Sequence, residues 1–256
     1  MSRRVDHQVA SPDLARRLVA ELVGTGLLVT VVVGSGIAAQ KLSPGQTGLQ
    51  LLENSTATVF GLGVLILLFG PVSGAHFNPV VSAADWALGR RAGTGLRGRE
   101  VASYLAAQVV GGIAGAVLAN AMFDLAPLQT ATTARASAGL WLGEVVATGG
   151  LIAVIFALAR TGRAGLSAAT VGCYIGAAYW FTSSTSFANP AVTVGRMFSD
   201  TFAGIAPASA PGFIVAQLLG GLLGIGLVVV LYPDASRAAG DVMTSPAATA
   251  SRTGAT

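Results

Sequence analysis

Long apolar segments alternate with short polar loops along most of this chain. Six of the segments are long enough to cross, or nearly cross, about 30 Å of hydrocarbon as helices. They span residues 18–39, 51–72, 100–122, 138–159, 166–181 and 212–232. Two further apolar segments, residues 79–88 and 190–199, are too short to cross alone. The pattern predicts an all-α membrane protein with six transmembrane helices and two half-helices.

Each short segment begins with an Asn-Pro pair, Asn78-Pro79 in the first and Asn189-Pro190 in the second. Asparagine caps a helix start by accepting a backbone N–H, and proline fits the first helical position, where no donor is needed. Backbone inside a membrane must be satisfied within the protein or line a water-filled cavity. Because both pairs lie between long apolar segments, the two segments are predicted to be re-entrant half-helices.

The two halves of the chain resemble each other. Two motif pairs recur: Glu21-Leu-Val-Gly-Thr-Gly with Glu144-Val-Val-Ala-Thr-Gly, and Gln108-Val-Val-Gly-Gly with Gln217-Leu-Leu-Gly-Gly. Each half holds three full spans, an odd number, so the second half is inverted relative to the first. We therefore predict an inverted repeat, residues 18–122 and 138–232, with a site near the membrane midplane.

Composition and charge agree with a membrane protein. The chain is 53% hydrophobic and 10% charged, whereas soluble domains carry about a quarter charged residues. All but three of the 15 lysines and arginines fall on one predicted side; the exceptions are Lys41, Arg135 and Arg196. This bias places both termini in the cytoplasm and explains the net charge of +4 without nucleic acid. Residues 1–17 and 233–256 are predicted cytoplasmic tails, the second one disordered.

The motifs His76-Phe-Asn78-Pro79 and Ala188-Asn189-Pro190-Ala191, set in two inverted halves, resemble the aquaporin or major intrinsic protein family over residues 14–232. The resemblance implies the aquaporin-like fold, a homotetramer with one pore per subunit, and a bacterial inner membrane location. It also implies a pore midplane, whose residues are Asn78, Pro79, Val80, Asn189, Pro190 and Ala191. Two half-helices meeting there would direct two positive dipole ends at one point, which repels cations and protons.

Four polar residues receive supporting roles. The resemblance implies that Glu21 and Glu144, which are costly inside apolar spans, hold loop backbone groups in place. We expect His76 to line the pore or to anchor a loop. Arg196, one helical turn beyond Val192, either lines the outer vestibule or is a solvated arginine near the membrane surface. No partner ligands for a metal, no cofactor motif and no nucleophile–base pair are evident, so an enzyme is not expected.

The predicted constriction departs from the family pattern. Water pores of the family carry an arginine directly after the second Asn-Pro-Ala, and Val192 stands there in this chain. Counting back without gaps places Thr58 and Ala177 at the constriction, and Ser186 completes the ring. We therefore predict a wide gate without the usual arginine, aromatic and histidine. Cys173, four residues before Ala177, is expected on the same helix face.

These features predict a passive channel for water and small uncharged polar solutes. Glycerol, urea and metalloid acids such as arsenous acid are the solute classes that a wide, arginine-less constriction would admit. Membrane lipid is the other expected partner. Two alternatives remain open, a strictly water-selective aquaporin and a secondary active transporter. A transporter would need a coupling-ion site, for which the spans offer few ionisable groups beyond the two glutamates.

Overall fold

Eight α-helices carry the part of the chain that the computed structural model describes, residues 12–90 and 93–233. They are α1 (Leu14–Leu42), α2 (Thr47–Ser73), α3 (Pro79–Gly89), α4 (Gly98–Met122), α5 (Ala138–Arg160), α6 (Ser167–Phe181), α7 (Pro190–Arg196) and α8 (Ala210–Leu231). Within these residues no strand is present. The all-α architecture, with six long helices and two short ones, is the one that the hydrophobic pattern predicted.

Five of the described helices, α1, α2, α4, α5 and α8, are long and apolar enough to cross a membrane. The remaining predicted span, α6, has 15 residues and follows the short 3-10 turn Ala164–Leu166. Turn and helix together rise about 28 Å, close to the thickness of a hydrocarbon core. The shorter sixth crossing is therefore completed by its 3-10 start.

Two helix boundaries differ from the sequence-based expectation. Helix α1 begins at Leu14, inside the predicted tail, because the Asp13 side chain caps it by accepting the Arg16 N–H at 2.9 Å. Helix α7 ends at Arg196 rather than near residue 199, because the Met197 N–H turns back to the Val194 carbonyl at 3.1 Å. Residues 1–11 and 234–256, which make up most of the predicted tails, lie outside the described residues.

The repeats pack in the same way through glycines. Helix α1 packs on α4, and α5 packs on α8. A Cβ atom on Gly115 would lie 2.1 Å from the Gly26 carbonyl oxygen, and one on Gly224 would lie 2.6 Å from the Gly149 carbonyl oxygen. Only glycine allows these backbones to approach so closely, as is common between membrane helices. The glycines after Gln108 and Gln217 therefore serve equivalent helix contacts.

The order of the helices gives the bundle two sides. Helix α1 begins and α8 ends on one side, which we call the termini side, and we call the other the far side. Helix α3 runs toward the termini side and α7 toward the far side. Two connections, residues 123–137 and 197–209, meet on the far side, where the Ala131 N–H donates to the Met197 carbonyl at 2.9 Å. The half-helices thus begin between the six long helices and diverge from there.

Candidate functional site: a cavity between two half-helix starts

The two half-helices meet through their asparagines. Each side-chain oxygen caps its own helix: that of Asn78 accepts the Val80 N–H, and that of Asn189 accepts the Ala191 N–H, both at 2.9 Å. Each side-chain nitrogen crosses to the other repeat. Asn78 Nδ2 donates to the Ala188 carbonyl and Asn189 Nδ2 donates to the Phe77 carbonyl, both at 2.7 Å. These reciprocal bonds lock the two helix starts together.

One donor remains on each asparagine. An amide nitrogen carries two hydrogens, and the crossing bond uses one of them. Among the described residues no second acceptor binds either nitrogen, and both asparagines line a cavity. Two N–H groups and two positive helix ends are therefore available at one point, where a polar solute can accept hydrogen bonds.

The loops before the asparagines have strained backbone. Phe77 and Ala188, whose carbonyls accept the crossing bonds, have φ values of 50° and 48°, and so do Ala75 at 46° and Ser186 at 51°. Residues with a side chain adopt this left-handed region at a cost of about 1–2 kcal/mol each. Such backbone persists only where the surroundings hold it.

In the first repeat, Glu21 contacts this strained loop backbone. The carboxylate is fully buried and accepts the His76 N–H at 2.9 Å and the Phe77 N–H at 2.7 Å. It also accepts from the Ser73 hydroxyl at 2.6 Å and from Gln108 Nε2 at 2.7 Å. Four donors therefore surround one carboxylate.

Glu144 occupies the equivalent place in the second repeat. It is also fully buried, and it accepts the Phe187 N–H at 2.9 Å, the Ala188 N–H at 2.8 Å and Gln217 Nε2 at 2.6 Å. Gln217 Nε2 donates in addition to the Thr193 hydroxyl on α7 at 2.9 Å. Both glutamates thus contact the loop backbone; that these contacts hold the loops in place stays a prediction.

The cavity beside the asparagines is narrow and mostly apolar. Its volume is about 60 Å³, room for about four water molecules. The apolar wall comes from the long helices and consists of Leu28, Val32, Leu62, Ile66, Leu151, Ile155, Val171 and Ile175. Most polar groups lie on the loops and half-helices, from His76 toward the termini side to Arg196 toward the far side, and Thr58 and Tyr179 add hydroxyls from α2 and α6. A solute therefore meets most of its polar contacts along one wall.

His76 lines this cavity on the termini side of the asparagines. Its Nδ1 lies 3.1 Å from the Ser82 hydroxyl, and its ring packs 5.5 Å from the ring of Tyr104, measured between centroids. Among the described residues no group of three potential metal ligands forms. The histidine is therefore tied to α3 and α4 while one edge of its ring faces the cavity.

The structure corrects one predicted constriction residue. Thr58, Ser186 and Val192 line the cavity, but Ala177 lies on the exposed face of α6. Tyr179, two residues further on, lines the cavity instead, and its hydroxyl lies 3.2 Å from that of Thr58. The ungapped count was therefore wrong for α6, and the expectation of a constriction without an aromatic residue was wrong with it.

The periodicity of α6 gives the physical reason. Val171, Ile175 and Tyr179 are spaced four residues apart and share the cavity face. Positions two residues away are about 200° round the helix, on the opposite face. Cys173 and Ala177 occupy that face, and both are exposed. The predicted shared face of these two residues holds, but it faces away from the cavity.

Arg196 lies where the cavity opens to the far side. Its side chain is 2% exposed, so the alternative of a solvated arginine is wrong. The guanidinium lies flat against the Phe187 ring, 3.4 Å from the ring centroid, and Nε donates to the Ala203 carbonyl. The residue borders both the narrow cavity and a wider space beyond it.

That wider space is a vestibule of about 470 Å³ on the far side. Arg135 and Arg196 are its cations, and Asp200 is its carboxylate, held by the Thr132 N–H at 2.8 Å. Neither arginine pairs with a carboxylate; within the described ranges the ion pair is Arg17–Glu100, on the termini side. Burial lowers the pKa of the Arg135 guanidinium, and the Glu144 carboxylate opposes that shift. An arginine remains charged at neutral pH, so the vestibule carries a net positive charge.

Comparison with known proteins agrees with this geometry. The model of the Major intrinsic protein family matches residues 8–188. The aquaglyceroporin AqpS of Rhizobium meliloti (strain 1021) is 50% identical over 216 residues, 84% of this chain and 90% of that protein. The glycerol uptake facilitator protein of Pseudomonas aeruginosa is 30% identical over 260 residues, 84% of this chain and 88% of that protein. The chain belongs to the major intrinsic protein family.

A solved structure supports the fold independently. The X-ray structure of the aquaglyceroporin from Plasmodium falciparum has a TM-score of 0.63 at 20% identity, and the match covers 88% of this chain and 100% of that one. The predicted fold, six crossings and two half-helices in an inverted repeat, is confirmed. The family is one of channels and not of enzymes.

Proposed function

We propose that this protein is a passive channel that conducts water and small uncharged polar solutes through the cavity between its half-helices. The observation that carries the proposal is the pair of reciprocal asparagines, each with one free N–H beside the cavity. Hydrogen bonds to these donors replace those that a solute loses on leaving water, while two positive helix ends raise the energy of a cation there.

Glycerol is the solute class that the relatives support best. The aquaglyceroporin and glycerol facilitator relatives support a channel for water and small solutes such as glycerol. Val192 adds an apolar surface and no donor where water pores of the family carry arginine, which favours the carbon backbone of a polyol. Urea and metalloid acids such as arsenous acid are similar in size and neutral, and we include them in the proposal. The side chain of Tyr179 is larger than that of Ala177, so the opening beside Thr58 is narrower than the sequence predicted.

A secondary transporter fits the site less well. Among the described residues that line the cavity, the charged or titratable side chains are His76, Tyr179 and Arg196, and no carboxylate is present. Proton- or sodium-coupled transport needs a group that binds the coupling ion within reach of the solute. Glu21 and Glu144 lie behind the loops, where backbone and glutamine donors occupy them. Passive conduction needs no such group.

The proposal also covers setting and assembly. We place the protein in the bacterial inner membrane with both termini in the cytoplasm, so that the far side faces outward, because the arginines concentrate on the termini side. We further propose the homotetramer of the family. Large apolar side chains cover the outside of the bundle, among them Phe60, Leu67, Leu222 and Val230, and lipid or neighbouring subunits would cover them.

Val192→Arg tests the conducting path. The added guanidinium would narrow the cavity mouth and supply donors suited to single waters. We expect the ratio of glycerol to water permeability, measured by stopped-flow swelling of proteoliposomes, to fall about tenfold or more, the discrimination typical of an added steric obstacle.

Val192→Leu is the matched control, because it adds bulk without donors or charge. It should lower the ratio less than the arginine does. An unchanged ratio in a folded Val192→Arg protein would show that solutes do not pass this residue. Wild-type vesicles no more permeable to glycerol and water than empty ones would refute the channel itself.

A further inference from the structure

Loss of the arginine at Val192 does not leave the pore mouth without a cation. Arg196 follows one helical turn later on α7, and the same face of the helix presents both residues to the cavity. It stands at the boundary with the vestibule, which it also lines. The charge is therefore displaced outward along the path and not absent from it.

The contacts of Arg196 orient its terminal nitrogens. Nε is bound to the Ala203 carbonyl, and one face of the guanidinium is covered by Phe187. Within the described part of the chain, neither Nη atom has a hydrogen-bond partner, although the side chain is 2% exposed. The planar guanidinium is thus held in one orientation, and the two Nη atoms at its outer edge remain available as hydrogen-bond donors.

Ser186 adds a second unused polar group. Its hydroxyl is buried, lines the cavity and has no hydrogen-bond partner among the described residues. The backbone of Ser186 is held in the left-handed region at φ 51°, and Phe187, the next residue, carries the guanidinium. A buried hydroxyl without a partner is costly, about 1–3 kcal/mol, so an unpartnered Ser186 hydroxyl that lines the same cavity as the Arg196 fork indicates a ligand.

We propose that Arg196 and Ser186 form a solute-binding station at the far-side mouth of the channel. It takes neutral solutes that present two oxygens side by side, either on adjacent carbons as in polyols or on one atom as in undissociated oxyacids, since a guanidinium fork binds such a pair. The charge of Arg196 is at the same time the main barrier to cations and protons, because no carboxylate among the described residues pairs with it. This inference rests on the proposed channel function.

A neutral ligand fits better than an anion. An oxyanion would bind the two arginines of the vestibule, but the next stretch of the path is an apolar cavity of about 60 Å³. Leaving the arginines for that cavity would strip an anion of its partners and its water. A neutral polyol or acid keeps hydrogen bonds to Ser186 and then to the asparagines as it advances.

The test uses the full-length protein in proteoliposomes and two readouts. The first is the glycerol concentration that halves tracer urea flux, which reports occupancy of the station. The second is proton leak under a potassium diffusion potential, which reports the charge barrier. Arg196→Lys keeps the charge and loses the fork, so we expect the half-inhibiting glycerol concentration to rise about tenfold, the cost of one charge-assisted hydrogen bond, with leak unchanged.

Two further variants separate the roles. Arg196→Met should raise proton leak about tenfold or more, since each factor of ten is about 1.4 kcal/mol of barrier, and should abolish glycerol competition. Ser186→Ala should weaken competition with no change in leak, and it keeps the test open if Arg196→Met fails to fold. Arg163→Met, an exposed arginine remote from the cavity, should change neither readout.

Wild-type competition and leak in both Arg196→Lys and Ser186→Ala would overturn the station. Wild-type leak in a folded Arg196→Met protein would overturn the charge barrier. A wild-type protein that conducts neither urea nor glycerol would instead refute the channel proposal, so the two failures are distinguishable.

Discussion

Replacing Glu144 by alanine should release the loop that carries one half of the site. The carboxylate accepts three hydrogen bonds, from the Phe187 N–H, the Ala188 N–H and Gln217 Nε2. All three donors are buried, and the alanine offers none of them an acceptor. The loop also has left-handed backbone at Ser186 and Ala188, which would relax once the donors are free.

The magnitude follows from these contacts. A hydrogen bond to a charged group contributes about 1.5–3 kcal/mol, so three of them amount to about 4.5–9 kcal/mol. That is comparable to the whole stability of a typical domain, about 5–15 kcal/mol. Glu144→Gln should cost less, because its carbonyl oxygen can still accept from Phe187. Gln217 can turn its own oxygen, which has no partner among the described residues, toward the new amide.

The assay is thermal unfolding of the purified protein in detergent, together with glycerol flux in vesicles. We expect the wild type to be most stable, Glu144→Gln intermediate and Glu144→Ala least stable, with flux lost in the same order. Glu21→Ala is the matched variant in the other repeat and should lose at least as much, because Glu21 holds four donors. A Glu144→Ala protein with wild-type melting temperature and flux would refute the loop-holding role.

Two other predictions concern the cavity itself. Asn189→Asp keeps the helix cap but replaces the donor to the Phe77 carbonyl with a carboxylate oxygen; neutral solute flux should fall and proton leak should rise in the same vesicles, and wild-type values for both would argue against the midplane site. Thr58→Cys should make glycerol flux sensitive to a mercurial reagent, since Thr58 lines the cavity. The wild type should be labelled at the exposed Cys173 without block, because this cysteine lies on the face of α6 that points away from the cavity, and a wild type blocked as strongly as the variant would contradict the assigned face of α6.

The sequence alone predicted the crossings and the half-helix starts because each depends on local physics. Apolar length sets the spans, which agree with the helices to within about four residues. Asn78 and Asn189 combine a capping side chain with a proline at the next position, and that local chemistry needs no partner to be recognised. The motif around Glu21 recurs around Glu144, and this repetition identified both carboxylates from the sequence. The donors that they bind depend on the conformation of the loops.

The cavity face of α6 could not be predicted in the same way. This helix is apolar on all sides, so its pattern does not distinguish the cavity from the outer surface. Counting back from Val192 assumed a loop of fixed length, yet residues 182–189 include left-handed backbone at Thr185, Ser186 and Ala188. The count therefore placed Ala177 at the cavity, two residues before Tyr179, which lines it.

Arg196 was ambiguous for a related reason. An arginine at the end of a seven-residue helix can extend into water or turn back toward the protein, and its spacing from Val192 is the same in both cases. What decides its position is the Phe187 ring and the Ala203 carbonyl, which belong to two different loops. Such contacts depend on tertiary structure, so no local pattern indicates them.

The inverted repeat gives the pore a symmetric backbone and an asymmetric charge. Seven residues after Asn189 comes Arg196, and seven residues after Asn78 comes Asp85. Asp85 is also buried, but it accepts the Leu96 N–H at 2.7 Å and does not line the cavity. The equivalent positions have therefore diverged: one carboxylate stabilises its own loop, while the arginine faces the path. Because Arg196 stands at the far-side mouth, we expect cations to be repelled before they reach the asparagines, so that the midplane can bind neutral solutes without bearing the whole barrier.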